Sequence, residues 1–79
     1  MSATCNEMLI RIKLILKDRK IAQEKLAAAA GMSVWTLTKQ LNGVYKLNID
    51  VLYALFRLCP NLSPDWLLFG RGDTNKNEQ

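Results

Sequence analysis

Apolar residues recur along this chain at intervals of three and four, the period of an α-helix, and no stretch alternates in the way a strand would. In the first segment, between about residues 6 and 20, Met8, Leu9, Ile12, Ile15 and Leu16 fall on one arc with basic residues between them, which predicts a helix with one face turned to a core. Ile10 and Leu14 project from the opposite side, one turn apart, and need a partner of their own: a later helix, another subunit, or tolerated exposure. From Gln23 to Ala30, strong helix formers with an acidic residue in the first turn predict a short second helix. Gly31 then supplies the left-handed residue at which helices commonly stop. Ser33 offers a side-chain oxygen to cap a third helix over about Val34–Leu41, which stops near Asn42 and Gly43.

Asn48 caps a fourth helix whose buried stripe is expected to be Ile49, Leu52, Leu55, Phe56 and Cys59, before Pro60 interrupts the backbone ladder. Ser63, Pro64 and Asp65 read as N-cap, first-turn proline and dipole-favoured acid of a fifth helix carrying Trp66, Leu67 and Leu68, closed by Gly70 or Gly72. Beyond Gly72 the residues have nothing to bury. The pattern thus predicts an all-α, compact bundle of five short helices in one domain, residues 1–72, followed by a polar, disordered tail, residues 73–79.

A chain of 79 residues can close one core and no more. Cys5 and Cys59 lie far apart and form no CxxC pair, which argues against a disulfide scaffold or a thiolate metal site and fits a reducing, cytoplasmic setting. Neither a signal peptide nor a membrane span is expected, since charged residues interrupt every apolar stretch. The net charge of +4 is unevenly placed: residues 11–46 hold eight Lys or Arg against Asp18 and Glu24, whereas residues 47–79 hold three against four acids. Such a basic half fits a polyanionic partner such as nucleic acid or an acidic membrane surface, and equally fits ordinary solvated helix faces. An enzyme is not expected. The chain has no histidine, no carboxylate pair at useful spacing, no phosphate-cradling glycine loop and no base beside either cysteine, and it predicts no metal, cofactor or small-molecule substrate.

The stretch from Gln23 to Gly43 has the length and breaks of a helix-turn-helix. On its second helix Leu37 and Leu41 share the inward face with Val34 at the boundary, so Trp35 and Lys39, also one turn apart, point away, flanked by Thr36 and Thr38. A helix of this diameter fits the major groove, where Lys donates to guanine, Thr hydrogen-bonds, and apolar groups meet thymine methyls. The competing placement folds Trp35 over the second or fourth helix as a lid on the core.

Over about residues 9–72, the chain resembles the Cro/CI-type, or XRE-type, helix-turn-helix family. The resemblance rests on Gln23-Glu24-Lys25-Leu26-Ala27, Gly31-Met32-Ser33, Thr36-Leu37-Thr38 and Asn42-Gly43, similar in type and spacing to the family pattern. The ending from Asn61 to Gly72 looks like the close of the DNA-binding domain of certain phage CI-like repressors, where it leads into a linker and a second domain. The resemblance implies a lambda-repressor-like fold, double-stranded DNA as partner and a role in transcription regulation, read as repression. Carried over residue by residue, it implies base contacts from Ser33, Val34, Trp35, Thr38 and Lys39, and phosphate contacts from Gln23, Asn42, Tyr45 and Lys46. It also implies a homodimer on a pseudo-palindromic operator, with Ile10 and Leu14, or Trp66 and Phe69, as the surface between subunits unless they belong to the core.

Three residues depart from the family pattern. Ala22 stands where a capping hydroxyl is usual, Leu41 where many relatives carry glutamate, and Val34 where a polar base-reading side chain is common. With Trp35 beside Val34, the expected recognition surface is unusually apolar. The rival reading is a protein-interaction module, such as an antirepressor or accessory factor, that uses Val34, Trp35, Ile10 and Leu14 to bind another protein.

Overall fold

The computed structural model describes residues 3–76, with side chains from residue 6 onward, so the expectations for Cys5 and for the end of the tail, residues 77–79, lie outside the described residues. Five helices follow in chain order: α1 (Ala3–Asp18), α2 (Gln23–Ala30), α3 (Val34–Leu41), α4 (Ile49–Leu58) and α5 (Pro64–Phe69). Helix α2 packs against both α3 and α4, while α1 lies against α5 and touches α3. Leu9, Ile12, Ile15 and Leu16 of α1 meet Leu26 and Ala27 of α2, Leu37 and Leu41 of α3, Val51, Ala54 and Leu55 of α4, and Leu67 of α5 in one core. Each fully buried Ile or Leu in it contributes about 1.5–3 kcal/mol relative to exposure.

Local chemistry sets the helix ends. Ser33 and Ser63 accept the amides of Thr36 and Trp66, and Asn48 accepts that of Asp50. The first three helices share one exit. One or two residues beyond each helix a residue is left-handed, and its own amide and the next turn back onto the last carbonyls in a Schellman arrangement. Lys20 (φ 57°), Gly31 (φ 74°) and Gly43 (φ 80°) hold that position, with Ile21 N–H donating to Leu16 O at 2.8 Å, Met32 to Ala27 at 3.0 Å and Val44 to Lys39 at 2.9 Å. A side chain at Gly31 would meet no neighbour, so glycine is favoured there by its backbone angle alone. Lys20 adopts the same conformation despite its Cβ, and it ends α1 two residues earlier than the periodicity suggests.

Ile49 corrects the expected stripe of α4. It is 74% exposed, and the buried face runs through Val51, Ala54, Leu55 and Cys59, with Leu52 and Phe56 half-buried beside it. With Asn48 as cap, Ile49 starts the row that continues one turn later in Tyr53 and Arg57, on the far side from Val51 and Leu55. Cys59 is buried and free.

Residues 74–76 pair back onto residues 61–63. Ser63 N–H donates to Thr74 O at 2.8 Å and Lys76 N–H to Asn61 O at 2.7 Å, an antiparallel bridge between Leu62 and Asn75, and the Arg19 guanidinium donates to the side-chain Oδ1 of Asn75. Backbone pairing holds a segment whose side chains have nothing to bury. Among the described residues, no helix is long and apolar enough to cross a membrane.

Candidate nucleic-acid interface

Helices α2 and α3 meet through the turn 31–33, and their packing decides what α3 presents. Leu37, Gln40 and Leu41 are buried toward α1, α2 and α4, so the side of α3 carrying Val34, Trp35 and Thr38 faces outward. Trp35 is 60% exposed and covers no part of the core. Its ring meets that of Tyr45 edge to face, with centroids 5.9 Å apart, and the Lys39 ammonium lies 5.3 Å from the indole centroid. The chain after α3 produces this cluster, because the Lys39 carbonyl accepts the amides of both Val44 and Tyr45, at 2.9 and 3.2 Å, and so folds Tyr45 back beside Lys39.

Ser33 is occupied by its capping role: Oγ accepts from Thr36 N at 3.1 Å and donates to Thr36 Oγ1 at 3.0 Å. Thr38 donates its hydroxyl to Gln23 Oε1 at 3.0 Å, which ties the first residue of α2 to the middle of α3 and leaves the Gln23 amide nitrogen to donate outward. No side chain caps α2 at Ala22, so the first amides of that helix are open to an acceptor from outside, next to Gln23. At the other end of α3, Lys13 donates to Asn42 Oδ1 at 3.1 Å and leaves the Asn42 amide nitrogen as a donor. Tyr45 and Lys46 are both exposed in the following loop.

The outward side of α3 thus presents exposed Val34 and Trp35 and half-buried Thr38 and Lys39, with Gln23 bonded to it at Thr38. None of these residues, nor Lys13, Asn42, Tyr45 or Lys46, is acidic. Donors able to hold phosphate oxygens flank a helix side able to meet bases. Three contributors are absent from the sequence reading. Lys13 lies 29 residues from Asn42, with only its charge to mark it. Gln40, 5% exposed, accepts Asn48 N–H at 2.7 Å and donates toward Met32 Sδ at 3.6 Å, and so pins the loop that carries Tyr45 and Lys46. Arg11 donates from Nε to Leu67 O at 2.8 Å and from a terminal nitrogen to Leu68 O at 3.2 Å, closing α5 onto α1.

Of the residues offered for a subunit contact, Ile10 and Leu14 are 57% and 52% exposed. Phe69 is exposed beneath the Arg71 guanidinium, whereas Trp66 is half-buried against the core. Leu41 and Leu16 are both buried in the core. Among the described residues, no cluster of His, Cys, Asp or Glu could hold a metal ion.

Residues 12–67, most of the chain, match the helix-turn-helix family. No curated protein and no solved structure gives a significant match. The match spans α2, the Gly31 turn and α3 together with the helices that brace them, and on that ground the chain belongs to the Cro/CI-type helix-turn-helix family of DNA-binding regulators.

Proposed function

We propose that the protein is a sequence-specific transcriptional regulator that lays α3 in the major groove of an operator and acts there as a repressor. The observation that carries this reading is the outward side of α3: Val34 and Trp35 are exposed and unclaimed by the core, within a rim of donors drawn from three separate parts of the chain. Ser33, Val34, Trp35, Thr38 and Lys39 face the bases. Gln23, the open amides of α2, Lys13, Asn42, Tyr45 and Lys46 hold the phosphates on either side. The missing side-chain cap at Ala22 then has a use, because a phosphate oxygen at that helix start completes both the hydrogen bonding and the charge. The repressor role rests on the likeness of residues 61–72 to phage CI-like repressors. Two copies would read a pseudo-palindromic operator with recognition helices about 34–36 Å apart, and Ile10, Leu14 and Phe69 are the exposed apolar positions available to join them.

Selection of bound fragments from a random DNA pool at two salt concentrations, with Trp35→Ala/Lys39→Ala protein alongside, tests this reading. A symmetric motif that the double variant fails to recover is expected. Affinity should fall with added salt, with a log–log slope of about 0.9 per phosphate neutralised. Salt-labile binding without a motif, or no binding, would instead favour a protein-interaction role for Val34, Trp35, Ile10 and Leu14, since apolar contacts change little with salt.

A further inference from the structure

The outward side of α3 has few hydrogen-bonding groups left to offer a base. Ser33 spends its proton on Thr36 Oγ1 and one lone pair on Thr36 N. Thr38 spends its proton on Gln23, so toward a base it can only accept. Gln40 is buried beneath the loop. The donors that remain are the Thr36 hydroxyl, the indole N–H of Trp35 and the Lys39 ammonium, which rests over the Trp35 ring. The rest of the outward side is carbon: Val34, the ring carbons of Trp35, and the threonine methyls.

That ring is also held in place. Tyr45 meets it edge to face and Lys39 covers it, and the two amides that close onto the Lys39 carbonyl hold Tyr45 alongside. The carbon of such a surface can meet the one apolar feature that the major groove presents, the C5-methyl group of thymine. We infer that Val34 and Trp35 read thymine through its C5-methyl group, and that each half-site places a thymine against them beside the base met by Lys39. This rests on the major-groove reading above. 5-Methylcytosine carries the same methyl group, but DNA selected from an unmodified pool contains thymine alone.

The test uses the duplex recovered from the random pool and a set of duplexes in which each thymine in turn is replaced by deoxyuridine, which removes the methyl group and keeps the pairing. Affinities are measured by fluorescence anisotropy for the wild-type chain and for Val34→Ala, Trp35→Ala and Lys39→Ala, each checked for helical content by circular dichroism. Burial of one methyl group corresponds to about a fourfold change in affinity, so uracil in one half-site should weaken wild-type binding about fourfold and uracil in both about fifteenfold. The uracil penalty should shrink toward unity in Val34→Ala or Trp35→Ala and persist in Lys39→Ala. Equal binding of thymine and uracil duplexes at every position overturns the inference, and so does a penalty undiminished in both apolar variants. Those results leave DNA reading by α3 intact, whereas failure to recover any motif removes both.

Discussion

Replacing Gln40 by methionine isolates one buried hydrogen bond that holds the loop beside the recognition helix. Methionine keeps the unbranched length and fills the same apolar surroundings, so little packing is lost. What disappears is the acceptor 2.7 Å from Asn48 N–H, supplied by a side chain that is only 5% exposed. Asn48 itself is exposed, so loss of the bond costs about 0.5–1.5 kcal/mol, and the weak contact from Gln40 Nε2 to Met32 Sδ adds little. For a domain of this size each kcal/mol lowers Tm by about 4–8 °C. The loss should also be local. Asn48 caps α4 through Asp50 N–H at 2.8 Å, and its own amide should exchange faster with deuterium while the amides of α1 keep their order of protection. Thermal melting followed by circular dichroism gives the first quantity and amide exchange the second. A Tm within about 2 °C of wild type, with Asn48 exchange unchanged, would refute the argument that Gln40 anchors the loop carrying Tyr45 and Lys46.

Arg11→Ala removes charge-assisted bonds to the Leu67 and Leu68 carbonyls and should lower stability in urea by about 2–3 kcal/mol, with lysine restoring only part because an ammonium cannot span both acceptors; a loss under about 0.5 kcal/mol would show that α5 is held without it. Lys20→Gly relieves a left-handed residue bearing a Cβ, offset in part by the greater freedom of an unfolded glycine, and should raise stability by up to about 1 kcal/mol, read from the denaturant midpoint. A fall in that midpoint would contradict it. Gln23→Ala should weaken binding to all DNA sequences alike, since phosphate contacts carry no sequence information; anisotropy titrations showing selective loss on one duplex would move Gln23 into the base-reading set.

Residues whose structural role is satisfied within a few positions were the ones legible in the sequence. Ser33, Asn48 and Ser63 cap helices through partners two or three residues away, and Gly31 ends α2 through its own backbone angle. The outward side of α3 was legible for a related reason, because Leu37 and Leu41 fix the inward face of a short helix. Helix α4 resisted the same logic. Nearly every position in it is apolar, so spacing alone did not choose between a face through Ile49 and one through Val51, and packing against α2 chose the second. Lys13, Arg11 and Gln40 act across gaps that only the folded chain closes, from eight residues for Gln40 to Asn48 up to 57 for Arg11 to Leu68. The bridge between Leu62 and Asn75 is made by backbone groups, which every residue but proline carries, so no side-chain pattern announces it.

Methylation interference on the selected duplex distinguishes entry of α3 into the major groove from any other mode of binding. Guanine N7 lies in the major groove and adenine N3 in the minor groove. The account predicts that methylation of guanine N7 blocks binding at two clusters about one helical turn apart, near 34–36 Å, while methylation of adenine N3 within those clusters has no effect. Interference confined to adenine N3, or none at any guanine within the motif, would contradict it.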